Sequence, residues 1–154
     1  MKTLEERFFE KVKKTDTCWE WTASKTSDGY GRFGIDGTVR PAHRVSYEMT
    51  NGPIGHGLVI DHICHHPSCV NPDHLRAVTR KQNAEHRVSA VRTSKTGVRG
   101  VIYYPSRGSY VGCVRHFGKL HHVGYFSTIA EAEAAVIAKR KELFTHNDVD
   151  RKAA

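Results

Sequence analysis

Residues 58–86, LVIDHICHHPSCVNPDHLRAVTRKQNAEH, combine strand signals, a helix signal and a dense group of histidines and cysteines. Two short apolar runs, at 58–60 and 75–78, predict two strands. Thr79 is a suitable N-cap for a helix that continues to about Val88. The stretch therefore predicts a strand–strand–helix unit. A unit this small has little core, and a bound metal ion would stabilise it.

Two cysteines and a histidine of this stretch are evenly spaced, as Cys64-x4-Cys69-x4-His74. With Cys18 they form a Cys₃His set, a donor set of closed tetrahedral zinc sites. The N-terminal residues lack an apolar signal-peptide core, so a metal site is favoured over disulfides. We predict one structural zinc ion, and the alternative is three free thiols that pack as small apolar side chains.

The same stretch resembles the HNH nucleases, specifically the variety with a His–Cys box that occurs in homing endonucleases and in phages. The resemblance covers about residues 18–87, and Cys18–Trp19 and Ala42–Arg44 also fit it. Its most specific feature is the spacing of five residues: His62, Cys64, Cys69, His74 and Asn83. It implies a zinc-stapled ββα-metal nuclease domain over residues 1–90.

The resemblance also implies roles for individual residues. Phosphodiester hydrolysis needs an activated water and a cation at the scissile phosphate. His62 is implied as the base, and Asp61 and Asn83 as oxygen ligands of a single Mg²⁺ or similar cation. Arg44 is a candidate for contact with the scissile phosphate, and a structural or solvated arginine is the alternative. His74 takes the place of the central Asn of the HNH pattern, which suits a structural role.

The predicted motif helix carries basic residues that we assign to DNA backbone phosphates. These residues are Arg80, Lys81 and Arg87. His65 and His66 follow Cys64 in one loop, and we interpret them as loop or phosphate-facing residues without a catalytic role.

The composition changes after this motif. From His86 to Ala130 the chain has no Asp or Glu and seven Arg or Lys residues. Three apolar runs separated by glycine turns predict three strands, and Thr128-x-x-Glu131 predicts the start of a long helix. The polar segment 89–97 is predicted to be a linker, so the second domain is predicted over residues 91–154.

This second domain resembles the plant ethylene-response-factor (APETALA-type) DNA-binding domain, which also occurs fused to phage HNH nucleases. The resemblance covers about residues 94–145 and rests on the motifs at 97–101, 110–112, 118–119 and 124–126. It implies a three-stranded antiparallel sheet that lies in the DNA major groove and packs on one helix. The implied DNA contacts are Arg99, Tyr104, Arg107, Tyr110 and Arg115. A basic, solvated sheet face is the alternative.

The composition fits this interpretation. The 154 residues include 24 Lys or Arg against 16 Asp or Glu, a formal charge of +8, which favours a polyanionic partner. No apolar run approaches the roughly 18 residues of a membrane span. We therefore expect no membrane association and a cytoplasmic protein, phage-encoded or bacterial, that is not secreted.

The sequence thus predicts an α+β protein with two domains that acts as a metal-dependent endonuclease on double-stranded DNA. A homing endonuclease is the biological role we expect, as a monomer or homodimer. The alternative is a non-catalytic DNA-binding transcriptional regulator with a zinc-stapled domain, for which Asp61, His62 and Asn83 would have no use. An RNA-directed nuclease ranks last, because no segment resembles an RNA-binding module.

Overall fold

The structure is a computed structural model that describes residues 2–152, with Lys152 described by its backbone alone. The chain forms two compact units, an N-terminal unit up to Asn83 and a C-terminal unit from Ala84 onward. The functional division after residue 90 stays a prediction. Residues 1, 153 and 154, which the two predicted domains include, lie outside the described residues.

The N-terminal unit is built from short elements. They are α1 (Leu4–Phe9), β1 (Val12–Lys14), β2 (Trp19–Trp21), β3 (Arg32–Ile35), β4 (Thr38–Pro41), α2 (Ala42–Asn51), β5 (Leu58–His62), β6 (Leu75–Thr79) and α3 (Arg80–Glu85), whose last two residues belong to the C-terminal unit. The strands pair antiparallel as β1–β2, β3–β4 and β5–β6. β5, β6 and α3 form the predicted strand–strand–helix unit.

Leu4, Phe8 and Val12, spaced at i, i+4 and i+8, predict a helix over residues 4–14, but the first helix is shorter than this. Thr3 and Glu6 form a capping box at its start, and the helix ends at Phe9. Val12–Lys14 instead pairs with β2, where Val12 lies opposite Trp21. The apolar spacing misleads because Val12 packs against the aromatic core from strand β1 and not from a helix, while Leu4 remains 37% exposed.

Three aromatic side chains form the centre of the N-terminal core. The ring centroids of Phe8, Trp21 and Phe33 lie 5.1–5.7 Å apart, with edge or tilted contacts. Ala42, Val45 and Val70 complete this buried cluster. A Cβ atom at Gly31 would lie 2.7 Å from the Trp21 ring, so only glycine fits where the β3–β4 hairpin begins.

The C-terminal unit is a single sheet on one long helix. Its elements are β7 (Val101–Tyr104), β8 (Ser109–His116), β9 (Lys119–Phe126), α4 (Ile129–Leu143) and α5 (Asp148–Lys152). The strands pair antiparallel in the order β7–β8–β9. Thr128 and Glu131 form the predicted capping box of α4. The predicted α+β architecture, with a three-stranded sheet packed on one helix, is confirmed.

Two features of the C-terminal unit were not predicted. The segment 89–97, predicted to be a linker, lies within this unit. α5 carries Asp150, whose two carboxylate oxygens accept from the buried Arg140 guanidinium at 2.6 and 2.9 Å. Asn147 donates to the same carboxylate at 2.7 Å.

Across the described residues, no helix combines the length and the apolar character that a membrane span requires.

Candidate active site and metal centre

Asp61 and His62 lie at the end of β5 and are both buried, with 6% and 7% exposure. In the β5–β6 pair, Asp61 lies opposite Arg76. The Arg76 Nε donates to Asp61 Oδ2 at 2.9 Å, so the carboxylate is held in a fixed orientation. This cross-strand ion pair could not be inferred from the spacing of the motif.

The His62 ring is fixed by its contact with the loop between β5 and β6. Its Nε2 lies 3.1 Å from the carbonyl oxygen of Cys69. A carbonyl only accepts, so Nε2 carries the proton, and Nδ1 of the neutral ring has a free lone pair. Burial lowers the pKa of His62, while the Cys69 carbonyl and the Asp61 charge act in the opposite direction. His62 is therefore neutral near pH 7 and suited to accept a proton at Nδ1.

A second histidine packs against His62. His43, in the first turn of α2, contacts the His62 ring edge-on with a centroid distance of 4.8 Å. Tyr30 lies 5.4 Å from the His43 ring and 5.8 Å from the His62 ring. Burial lowers the pKa of His43 to about 3, and the charges of His62 and Arg44 add to this effect. Sequence reasoning missed His43, although its signal, Ala42–Arg44, was available.

The predicted zinc ligands come together. The donor atoms of Cys18, Cys64, Cys69 and His74 all lie within 4.8 Å of one another. His74 Nδ1 lies 3.6 Å from the Sγ atoms of both Cys18 and Cys69. Tetrahedral zinc with bonds of about 2.3 Å to sulfur and about 2.0 Å to nitrogen would separate these donors by about 3.5 Å. The Cys₃His cluster therefore has the composition and the spacing to hold zinc.

The thiols of the cluster are in an environment that disfavours thiolates without a cation. Burial raises the pKa of Cys64 to about 12 and also raises the pKa of Cys18. Each thiolate near the others adds like charge, which a bound divalent cation would neutralise.

Backbone pairing brings Cys18 to the rest of the cluster. The loop residues 68–70 run along β2, with Trp21 N–H donating to Ser68 O at 2.9 Å and Val70 N–H to Trp19 O at 2.8 Å. Cys69 lies between these bonds and has two functions. Its Sγ is in the cluster, and its carbonyl holds His62. The metal cluster and the candidate base are thus connected through one residue.

Asn71 supports the same region and was missed by sequence reasoning. Its side chain is buried, and Nδ2 donates to the Thr17 carbonyl at 3.2 Å. Its Oδ1 accepts from Asp73 N–H at 3.1 Å and so caps the 3₁₀ turn Pro72–His74, which carries a zinc ligand. An Asn directly before Pro-Asp-His is a recognisable cap signal.

The other predicted residues of the N-terminal unit occupy more open positions. Arg44 is half-buried in α2 and lines a cleft of about 650 Å³ together with His43. Asn83 and Arg80 are exposed on α3, and Lys81 is half-buried there. The structure thus brings Asp61, His62 and the unexpected His43 together, and it places Asn83 on the helix that follows β6.

In the C-terminal unit, three of the five predicted DNA contacts are exposed on or beside the sheet. Tyr104 is 46% exposed at the end of β7. The Arg107 guanidinium stacks over the Tyr125 ring at 4.7 Å. Arg115 is exposed on β8 and donates to the Gly118 carbonyl at 3.0 Å. These side chains can meet a ligand without breaking the fold.

Arg99, predicted as a DNA contact, is bound within the fold by backbone carbonyls. Its guanidinium donates to the carbonyls of Ala84 and Glu85 at 3.1 Å each, and also to that of Arg87. These carbonyls lie at the C-terminal end of α3, where an arginine is a favourable cap. Burial, with the charge of Arg140 nearby, lowers the pKa of Arg99 to about 10. Arg99 is structural in this unit, and Arg87 remains exposed at its side chain.

Tyr110, also predicted as a DNA contact, is half-buried within the fold. It packs against the buried cluster that includes Val114 of β8 and Val136 of α4. Its ring also contacts Tyr103 at 5.2 Å. Tyr110 therefore faces the helix rather than the open side of the sheet, because side chains alternate along β8.

Comparison with known proteins agrees with this geometry. Residues 40–85 match a family model described as HNH endonuclease. Protein 7.7 of Escherichia phage T7 is 42% identical over 80 residues, which cover 52% of this chain and 62% of that protein. Protein 2.8 of the same phage is 37% identical over 95 residues, or 60% of this chain and 65% of that protein.

Protein 3.8 of phage T7 is covered more completely. It is 30% identical over 101 residues, which are 66% of this chain and 82% of that protein. The chain belongs to the same family as this phage protein, and its residues 40–85 form an HNH endonuclease domain. The chain spans less than two thirds of proteins 7.7 and 2.8. No solved structure matches the chain.

Proposed function

We propose that this protein is a metal-dependent endonuclease that hydrolyses phosphodiester bonds of double-stranded DNA. The observation that carries the proposal is the contact between His62 Nε2 and the Cys69 carbonyl, within an HNH endonuclease domain. This contact fixes the tautomer and leaves Nδ1 of a buried, neutral imidazole as the proton acceptor.

The residues that we propose for the catalytic cation are Asp61 and Asn83. They offer a carboxylate and an amide oxygen, the donors that Mg²⁺ prefers. The carboxylate of Asp61 is buried and oriented by Arg76, and Asn83 is exposed on α3. These donors fit a hard cation. When bound, such a cation supplies Lewis acidity at the phosphate.

Hydrolysis forms a bond from the water oxygen to phosphorus and breaks one P–O bond of the DNA backbone, whose leaving oxygen takes up a proton from solvent. The chain's own side chains contribute to this reaction as follows. His62 takes a proton from the attacking water at Nδ1, while its Nε2–H continues to donate to the Cys69 carbonyl. The positive charge that forms on His62 is stabilised by the neighbouring carboxylate of Asp61. Arg44, on the same wall as His43, is proposed to bind a non-bridging phosphate oxygen.

We propose that the Cys₃His cluster holds a structural zinc ion. All four protein donors needed for closed tetrahedral coordination are present, so the site offers no open position for catalysis. Its contribution is to hold residues 68–70 against β2, which places the Cys69 carbonyl on His62. Zinc would therefore support the base without touching the substrate.

The C-terminal sheet is proposed to target DNA in the manner of the APETALA-type domain. Its three antiparallel strands pack on α4, and the long segment 86–130 contains no acidic residue. Tyr104, Arg107 and Arg115 are the proposed contacts. Arg80, Lys81 and Arg87 are proposed to bind backbone phosphates, whose neutralisation makes binding salt-dependent.

We further propose a homing endonuclease role in the cytoplasm of a phage-infected bacterium. The relatives in phages T7 and T3 support a phage setting. A homing role requires cleavage at one or a few sites of a genome. Cleavage-site mapping on the source genome would show this, and uniform cutting of all sequences would contradict it.

A plasmid assay separates the nuclease from a DNA-binding regulator. Supercoiled plasmid is incubated with the full chain, with Mg²⁺ or with EDTA. We expect nicked or linear product with Mg²⁺ alone. DNA that is bound, as seen by gel retardation, and remains intact in the presence of Mg²⁺ or Mn²⁺ would contradict the proposal and favour the regulator.

A further inference from the structure

A cleft of about 650 Å³ opens beside His43, within the range of roughly 300–1,000 Å³ for ligand pockets. Its walls come from the β3–β4 hairpin, the first turn of α2 and β5. Tyr30, which contacts both His43 and His62, lines the cleft. The cleft therefore begins next to the candidate base.

The charge of the cleft is positive. Its lining includes Arg32, Arg40 and Arg44 against the single acidic residue Asp28. Arg40 pairs with Glu48 outside the lining at 2.5 Å. Within residues 2–152, the guanidinium groups of Arg32 and Arg44 form no ion pair, so both are available to an anion.

The N-terminal end of α2 adds to the positive electrostatic potential of the cleft. The ten-residue helix begins at Ala42, and its N-cap, Pro41, has no side chain that could cap it. The first turn contains no acidic residue. The Ala42 N–H donates to the Gly31 carbonyl, whereas the following N–H groups belong to the positive end of the helix dipole. Such a terminus favours a phosphate.

An independent observation comes from His43. Its side chain is 8% exposed, and its buried Nδ1 has no hydrogen-bond partner. A buried polar atom without a partner is costly, by about 1–3 kcal/mol, so a ligand that supplies a partner here would be bound favourably. His43 lines the cleft at the helix terminus. His43 thus combines an unsatisfied ring nitrogen with a position in the positive wall of the cleft.

We propose that this cleft binds a nucleotide of the strand that is cut, next to the scissile phosphate. Its phosphate would lie at the start of α2 beside Arg32, with His43 as a hydrogen-bond partner, while Arg44 contacts the scissile phosphate. Tyr30 and Val39 offer apolar surface to the sugar and base. The inference rests on the proposed nuclease function and adds the position of the flanking nucleotide, with His43 as a substrate-binding residue.

The test is DNA binding by the zinc-loaded full chain in buffer without added Mg²⁺, so that no cleavage occurs and the proposed zinc is kept, followed with a short fluorescent duplex. Arg32→Met removes a cleft charge, and His43→Phe keeps the ring packing on His62 but removes the nitrogens. Lys13→Met removes one charge from the exposed strand β1 and is the matched control. We expect the Kd to rise about ten-fold in both cleft variants, the loss of one charge-assisted hydrogen bond, and less than two-fold in the control.

Further measurements separate the outcomes. His43→Asn, which restores a polar atom, should recover part of the affinity lost in His43→Phe, and thermal unfolding checks that the variants fold. Equal Kd values for the cleft variants and Lys13→Met would overturn the subsite, even where the wild type cuts DNA. Weaker binding by the cleft variants would support it, even where no protein cuts DNA and the nuclease proposal fails. Inorganic phosphate should perturb the His43 resonances far less than DNA at equal concentration, and equal perturbation would overturn the assignment to a nucleic-acid strand.

Discussion

The two units of this protein are stabilised in different ways. The N-terminal unit has three separate two-stranded sheets, an aromatic core and a cluster of four metal donors. The C-terminal unit has one three-stranded sheet, a fifteen-residue helix and a buried ion pair between Arg140 and Asp150. Two-stranded sheets are marginal alone, so the N-terminal unit depends on side chains where the C-terminal unit depends on backbone pairing.

This difference explains where the candidate site lies. Residues 63–74, between β5 and β6, form an irregular loop apart from one 3₁₀ turn. The loop carries three zinc candidates, Cys64, Cys69 and His74, and its backbone holds His62. A metal centre can hold such a loop in one conformation without adding strands. Stability and chemistry therefore depend on the same few residues in this unit.

The largest expected effect is the loss of a zinc ligand. Cys69→Ser should lower the free energy of unfolding of the N-terminal unit by about 5 kcal/mol or more, because structural zinc binding is folding energy. Both tryptophans, Trp19 and Trp21, lie in this unit, so their fluorescence reports its unfolding. Elemental analysis should find one zinc per chain in the wild type.

Cys113→Ser is the matched control for this change. Cys113 is half-buried in the C-terminal unit and lies outside the donor cluster. Its variant should keep one zinc and the wild-type tryptophan transition. Zinc-free wild-type protein, or a Cys69→Ser variant as stable as the wild type, would contradict the proposal that the Cys₃His cluster holds a structural zinc ion.

The C-terminal unit should instead be sensitive to its ion pair. Asp150→Ala leaves the Arg140 guanidinium buried without its carboxylate and should cost about 3–5 kcal/mol. Hydrogen exchange of the β8 amides measures this. Glu142→Ala removes a carboxylate that is 63% exposed, and its pair with Lys139 should be worth less than about 1 kcal/mol. Similar effects of the two variants would show that the buried pair does not support this unit.

A drop in pH should lower the stability of the protein through the protonation of His43 on unfolding. The unfolded chain takes up a proton at this group below pH 6.5, and the folded chain only near pH 3. The unfolded state therefore binds more protons between these values, and stability falls as the pH drops through this window. At pH 5, the proton that His43 takes up on unfolding lowers the free energy of unfolding by about 2 kcal/mol.

His43→Phe removes this contribution and keeps an aromatic ring on His62 and Tyr30. Urea unfolding at pH 7 and pH 5 should show a smaller loss on acidification in the variant than in the wild type. Protonation of the zinc ligands affects both proteins, so the comparison isolates His43. Identical losses would mean that His43 is protonated in the folded protein at pH 5.

The smallest expected effect concerns the exposed sheet. Arg115→Ala should weaken binding to a preferred DNA site by about 1–2 kcal/mol if the side chain reads bases. Arg99→Ala should instead destabilise the C-terminal unit, since its donors cap α3. Fluorescence anisotropy on specific and random duplexes, with thermal unfolding, separates the two cases. Loss of base preference in a fully stable Arg99→Ala variant would restore its role as a DNA contact.

The sequence predicted the parts that depend on local pattern and spacing. The β5–β6–α3 unit, the zinc donors and the three strands with their capped helix follow from apolar runs, turn residues and the spacing of the cysteines. These signals act over a few residues, or reflect the geometry of a single metal ion.

The missed features depend on contacts between distant segments. His43 reaches His62 through the packing of α2 on β5, and Arg76 reaches Asp61 across the strand pair. Arg99 was predicted to contact DNA bases because the sequence around it is basic. Its partners in the structure are backbone carbonyls at residues 84–87. Tyr110 faced the helix because of strand register. Strand register and long-range packing cannot be predicted from any short stretch of sequence.

The central claim is that His62 is the base of a nuclease site in the N-terminal unit. Its most direct test is the single-turnover rate of plasmid cleavage in Mg²⁺ by wild type, His62→Ala and His56→Ala, where His56 is an exposed histidine. We predict that His62→Ala binds DNA and zinc normally but cuts roughly 10²–10⁴ times more slowly, while His56→Ala keeps the wild-type rate. A folded, zinc-loaded His62→Ala variant that cuts DNA at the wild-type rate would contradict the claim.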